Sequence, residues 1–289
     1  MTAEFEKKLR ERAEAVNAEL ERYLSPSDPD FAVLCESMRY SSLAGGKRVR
    51  AFLALEFFSV FSRGQDAEIA LPVACAIEMI HTYSLIHVDL PCMDDDDFRR
   101  GQPSNHKKFG EAVALLSGDA LLTYAFGVIA EAELLPDEKK VRIIAEISRA
   151  AGHFGMVGGQ VMDIRGETLG MKALSKMHAL KTGNMIVASA KTGCIAGGAS
   201  GKETEMAARY AKNIGLAFQI IDDIFDKAED GAQNNLANVF GGGAERAFGR
   251  AKMLTDGALA EIEALKKENK DIETENLEIF ATYLLERRN

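Results

Sequence analysis

Residues 203–227, ETEMAARYAKNIGLAFQIIDDIFDK, decide the fold class. Met206, Tyr210, Ile214, Ala217, Ile221 and Phe225 recur every three or four positions, the spacing that lines one buried face of an α-helix. The same bias extends outward. The chain has 6 prolines and none follows Pro136, so nothing of that kind interrupts helices in its second half. Alanine, leucine, glutamate and lysine dominate the long segments, and alternating β-branched runs with hairpin signals are missing. These features predict an all-α protein with no strand.

Breaks between segments fall at Ser25-Pro26-Ser27-Asp28-Pro29, at Gly45-Gly46, at Arg63-Gly64 and at Arg100-Gly101-Gln102-Pro103. Later ones fall at Leu135-Pro136-Asp137, at Arg165-Gly166 and near Gly197 to Gly201. The glycines at 241–243 are too few to separate two cores, and no repeat is evident. One domain over residues 1–289 is expected. Hydrophobic residues make up 47% of the chain and charged residues 27%, enough for a large core without signs of disorder.

A formal charge of -9 disfavours nucleic acid and anionic lipid as general partners, so an anionic ligand needs a local basic site. Cys35, Cys75, Cys92 and Cys194 lack paired spacing and read as reduced, mostly buried thiols. The amino-terminal stretch mixes acids and bases on a helical stripe, unlike a signal peptide, and the richest apolar run, Ile77 to Ile86, carries Glu78 and His81. No membrane span and a cytoplasmic location are expected.

Two acidic clusters stand far apart, Asp89 with Asp94-Asp95-Asp96-Asp97, and Asp222-Asp223-Asp226. Asp222 and Asp226, four apart, project from one helix face. Such runs also occur as solvated surface or helix caps. Two of them bordering apolar helices suit magnesium, which bridges carboxylates to substrate phosphates. Gly45-Gly46-Lys47-Arg48-Val49-Arg50 adds cations at a helix start, and Arg99-Arg100 follows the first acidic cluster.

At this point a resemblance becomes specific. TYSLIHVDLPCMDDDDFRRGQPSNHKKFGEAVALLSGDALL, residues 82–122, resembles the first aspartate-rich region of bacterial short-chain isoprenyl diphosphate synthases, and GLAFQIIDDIFD, residues 215–226, resembles their second. LAGGKRVR, EMIHTYSLIH, MVGGQVMDI and HALKTGNMI are similar to further family segments in the same order, over roughly residues 40 to 226. The resemblance implies a single helical bundle of about ten or more helices around a central cavity. It also implies a homodimer, and magnesium-dependent head-to-tail addition of isopentenyl diphosphate to an allylic diphosphate.

Carried over position by position, Lys47, Arg50, His81 and Arg100 resemble the metal-free pocket for isopentenyl diphosphate. Arg99, Lys181, Thr182 and Gln219 resemble the contacts to the allylic diphosphate or to the cation left after ionisation. Asp89, Asp94, Asp222 and Asp226 are the candidate metal ligands. Tyr83 resembles the aromatic floor that limits product length, with Leu85 and Ile86 completing an apolar wall; Tyr83 and His81 also read as ordinary core residues.

The pattern departs from the family in three places. Val88 stands where the first aspartate of the motif belongs, and valine cannot coordinate a hard cation; Asp89 is rotated about 100° from that position on a helix. After Asp226 the loop places Asn235, Ala237 and Asn238 where lysine, threonine and tyrosine would stand. Ala51 replaces a proline. The readings that follow are a short-chain prenyltransferase weakened at Val88, a degenerate prenyl-diphosphate binder or regulatory subunit pairing with an active synthase, and a terpene cyclase. A cyclase would have no need of Lys47, Arg50 and His81.

Overall fold

The computed structural model describes residues 3–26, 28–165, 171–226 and 243–286, and among these it holds thirteen α-helices. α1 (Ala3–Tyr23) ends ahead of Ser25-Pro26. A short 3-10 turn capped by Asp28, whose carboxylate accepts from the Asp30 N–H at 2.9 Å, leads into α2 (Ala32–Ser42). α2 stops short of Gly45-Gly46, where the sequence predicts its end, and the next helix is α3 (Val49–Phe61). α4 (Leu71–Val88) starts with Pro72 in its first turn, where a missing N–H costs nothing.

α5 (Asn105–Phe109), α6 (Glu111–Ala130), α7 (Asp137–Ala151) and α8 (Met156–Ile164) follow. α9 (Met171–His178) runs through a π-helical turn (Ala179–Gly183) into α10 (Asn184–Gly197). α11 (Gly201–Asp226), α12 (Gly243–Glu268) and α13 (Glu275–Glu286) complete the bundle. On α11, Tyr210, Ile214, Ala217 and Ile221 are buried and Met206 partly so, as the periodicity requires. Phe225 lies on the same helix, with its side chain outside the described residues.

α3 and α4 are apolar almost all round because they are buried almost all round. One core surrounds α4, with Val16 and Leu20 of α1, Leu121 and Ala125 of α6 and Ile143 and Ile147 of α7. A second surrounds Phe52 and Phe57 of α3, with Phe5, Tyr210, Ile262 and Phe280. α4, within Ala67–Val88, and α6 have the length and composition of membrane spans, yet 67% of the apolar window of α4 is buried inside the bundle.

The expectation of no strand needs one correction. Phe98–Arg99 (β1) and Gln102–Pro103 (β2) pair antiparallel around Arg100-Gly101, both at positive φ, 53° and 75°. Two residues per strand are too few to show a period of two. The ribbon is anchored where α5 begins: Asn105 exchanges hydrogen bonds with Ser37 of α2, 2.8 and 3.0 Å, and Ser117 of α6 lies 2.7 Å from Ser37 Oγ.

The deepest ion pair joins α3 and α4. Arg48, with φ 48°, is 5% exposed; it donates to Glu78 at 3.1 Å, to Asn17 at 3.0 Å and to the carbonyl of Ser42. Glu78 also accepts from the backbone N–H of Ala51 at 3.2 Å, one of the helix-start donors that no intrahelical carbonyl reaches. Removing one partner strands a buried charge, so Glu78→Gln is expected to cost about 3–5 kcal/mol of unfolding free energy in urea titration. Replacing Arg48 and Glu78 together with apolar residues is expected to cost less than the single change.

Candidate active site

The Gly45-Gly46-Lys47 turn opens a cationic ring. Arg48 faces inward to Glu78, so of the basic residues here it serves as the anchor, while Lys47 stays exposed on the turn and Arg50 reaches the next helix. Arg50 Nη1 lies 3.5 Å from His81 Nε2, and Arg50 Nε is buried with no hydrogen-bond partner. Arg100, at the ribbon tip, donates to the carbonyl of Gly45. A Cβ at Gly46, where φ is +117°, would stand 2.9 Å from the Arg100 guanidinium, so only glycine lets that side chain lie across the turn.

The structure therefore gathers Arg50, His81 and Arg100 against one turn. Burial first, then the like charges of Arg50, Arg100, Arg48 and Arg99, hold the His81 imidazole well below its ordinary pKa, so it is neutral near pH 7. Burial also lowers Arg50 and Arg100, the latter further through Arg48. Two guanidiniums gathered near a single carboxylate, Glu78, that is already bonded to Arg48 form an anion pocket, and a neutral imidazole supplies a hydrogen bond to it without adding to the repulsion.

Across the site, the sequence Asp94 to Arg100 is sorted by direction. Arg99 donates to Asp89 at 3.1 Å through Nε and to Asp96 at 2.9 Å through Nη2. Asp89 is 2% exposed; burial pushes its carboxyl upward, and the Arg99 pairing pulls it back. Asp89 thus sits in an ion pair just beyond the end of α4, with both carboxylate oxygens accepting from Arg99. Its assignment as a metal ligand would require breaking that pair.

Asp94 is exposed, and its backbone N–H donates to the carbonyl of Val88 at 2.9 Å, so residue 88 is brought back beside the motif it belongs to. Partial desolvation of the Asp94 carboxyl, and then the nearby Asp163 and Asp96, raise its pKa, while Lys181 and Arg99 oppose them. Lys181 donates to Asp163 at 2.6 Å from the π-helical turn, with half-buried Thr182 beside it. Gly159 makes this possible: a Cβ there would lie 2.4 Å from the backbone nitrogen of Lys181, so α8 meets the turn backbone to backbone. π-helical turns concentrate at functional sites.

Gln219 and Asp222, three apart on α11, are both half-buried and lie on neighbouring positions of one face. Gln219 borders a groove with His178, Gly183 and Leu216. The side chain of Asp226 and the loop bearing Asn235, Ala237 and Asn238 lie outside the described residues. Tyr83 is 6% exposed in the α4 core, its ring edge-on to His87 with centroids 5.7 Å apart. Sequence reasoning left Asp163 and Glu78 unused. Each is the one charged residue in its run, 156–164 and 71–80, and that isolation was the available signal.

Asp94 and Asp163 lie close enough to act on one another, and their carboxylate oxygens are donors of the kind a hard divalent cation takes. Residue 88 adds nothing to that set, since Val88 offers only methyl groups.

His81 sets a pH dependence with a definite sign. Its folded pKa is depressed below the ordinary 6.5, so below that pH the unfolded chain takes up a proton that the folded chain refuses. Unfolding free energy is expected to fall as pH drops through 6.5 toward the lower folded value, and His81→Gln is expected to remove that slope. Urea titrations across this range check both.

Comparison with known proteins places the chain in a family. The polyprenyl synthetase family profile matches residues 31–237. A farnesyl diphosphate synthase of Geobacillus stearothermophilus is 48% identical over 237 residues, covering 81% of this chain and 78% of that enzyme. The large subunit 1 of a heterodimeric chloroplastic geranylgeranyl pyrophosphate synthase of Arabidopsis thaliana is 47% identical over 223 residues, 74% of this chain and 59% of that subunit. The apo crystal structure of an FPP/GFPP synthase from Zymomonas mobilis superposes with a TM-score of 0.88 at 34% identity, covering 99% of this chain and 100% of that one. The chain belongs to the polyprenyl synthetase family.

Proposed function

We propose that this protein is a short-chain prenyltransferase that condenses isopentenyl diphosphate with an allylic diphosphate. The observation that carries the reading is the cationic ring of Arg50, His81 and Arg100 on a glycine turn pinned by Arg48 and Glu78. A terpene cyclase, acting on one diphosphate, has no use for a second anion pocket of this kind.

Isopentenyl diphosphate is held by Lys47, Arg50 and Arg100, with neutral His81 donating a hydrogen bond. On the allylic side, Arg99 and Lys181 neutralise the second diphosphate, and Thr182 and Gln219 line the place where positive charge develops. The allylic carbon–oxygen bond breaks with its electron pair leaving on pyrophosphate. The double bond of isopentenyl diphosphate supplies the electrons of the new carbon–carbon bond, and a proton is then lost from the adjacent carbon. Asp94, Asp222 and Asp226 would hold magnesium, which when bound supplies charge neutralisation to the departing pyrophosphate. The exposed Leu115 and Leu116 on α6 support self-association, and the likeness to the large subunit of a heterodimeric synthase supports a hetero-oligomer with an active synthase as the other assembly.

Val88 tunes the rate within this reading. It ends α4 with its carbonyl bonded to Asp94 N–H, so a carboxylate at 88 would stand beside Asp94 and complete the acidic set. Incubation with isopentenyl diphosphate, geranyl diphosphate and magnesium, followed by mass spectrometry, is expected to give a chain-extended diphosphate of farnesyl length. Consumption of geranyl diphosphate alone would indicate a cyclase, and no consumption with a diphosphate-dependent rise in melting temperature would indicate a binder. Val88→Asp is expected to raise turnover roughly tenfold or more, equivalent to about 1.4 kcal/mol of barrier. Tyr83→Ala is expected to lengthen the product.

A further inference from the structure

Two of the four consecutive aspartates take no part in the site described above. Asp95 has φ 53°, and this left-handed kink turns the chain so that successive carboxylates point different ways. Asp94 shares its surroundings with Asp163 and Lys181, and Asp96 pairs with Arg99. Asp95 and Asp97 instead face His106, at the start of α5.

His106 is 6% exposed. Its Nδ1 lies 3.0 Å from Ser104 Oγ, which fixes the ring, and its Nε2 is buried without a hydrogen-bond partner, 4.0 Å from Asp95 Oδ1. One oxygen each from Asp95 and Asp97 and the His106 nitrogen all lie within 4.8 Å of one another. A buried imidazole nitrogen with no partner, aimed at two carboxylates, is costly as it stands and is well served by a cation.

We infer that Asp95, Asp97 and His106 form a second divalent-metal site, separate from the carboxylates that face the diphosphates, which takes a zinc-like ion. The imidazole nitrogen excludes magnesium and calcium, which take oxygen ligands, and one nitrogen with two carboxylates suits a borderline ion with open positions for water. Ligands about 2.0–2.1 Å from zinc in a tetrahedron stand roughly 3.4 Å apart, so the triad needs a small contraction. Asp95 and Asp97 are exposed and free to turn inward, while the buried histidine stays. Lys107 holds Asp97 at 2.7 Å from the surface and would swing away.

The site closes the base of the ribbon. β1 and β2 lie between Asp97 and His106 in sequence, and the Ser104 N–H already donates to the Asp97 carbonyl at 2.9 Å. An ion bridging Asp97 to His106 staples the hairpin that carries Arg99 and Arg100. That consequence for binding isopentenyl diphosphate rests on the proposed function; the site itself does not.

The test measures metal binding without substrate. Protein stripped with a chelator is titrated with zinc chloride by calorimetry, and the single change His106→Asn or Asp97→Asn is compared with the double change Asp94→Asn/Asp222→Asn. The expected result is one zinc equivalent that survives the double change and is weakened at least about tenfold by either single one. Loss of the 15N signal position of His106 Nε2 on adding zinc to the full-length protein is expected alongside it. Equal zinc affinity in Asp97→Asn and the unaltered protein overturns the proposal, and so does zinc binding that disappears only with Asp94 and Asp222. Asp97 is exposed, so its replacement decides the matter even where His106→Asn does not fold.

Discussion

The Arg48–Glu78 ion pair is the interaction on which the rest of the site depends. Gathering Arg50, His81 and Arg100 around one turn sets like charges against one another, and burial adds a desolvation cost to each. A single buried carboxylate offsets part of that cost and does so from the right place. Glu78 holds Arg48 with one oxygen and the first turn of α3 with the other, so the helix bearing Arg50 is locked in register with the helix bearing His81. A buried pair of this kind contributes little net stability compared with an apolar pair, and its value here lies in register.

The opposite wall follows another rule. There, cations are held by the protein's own carboxylates: Lys181 by Asp163, and Arg99 by Asp89 and Asp96. The difference has a chemical reason. A pocket that binds an anion directly must keep its cations unmatched, whereas a pocket that binds an anion through a metal must keep acids near its cations. Under the proposed function the two walls correspond to two modes of diphosphate binding within one bundle.

Val88 disturbs the second wall and leaves the first intact. The helix end survives because it depends on backbone bonds, the Val88 carbonyl with the Asp94 N–H, and these are indifferent to the side chain. Asp89 cannot substitute, since its position beyond α4 commits it to Arg99. Under the proposed function, what changes is the number of oxygen donors offered to a metal, which bears on rate and metal affinity rather than on folding.

The sequence by itself determined the helical class, the boundaries set by proline and glycine and the buried face of α11, and it named the candidate site residues, because local periodicity and residue chemistry do not need a partner segment to be legible. It also showed the valine at 88, where the family resemblance implies an aspartate. It did not show that Arg48 turns inward while Arg50 does not, that Asp89 is taken by Arg99, or that the four aspartates separate into three directions. Those outcomes hang on a left-handed kink at Asp95, a ribbon of two-residue strands and contacts between residues far apart in the chain, as between Ser37 and Asn105, 68 positions apart. Only the packed tertiary structure decides which charge meets which, because pairing energy falls with a distance that no linear spacing encodes.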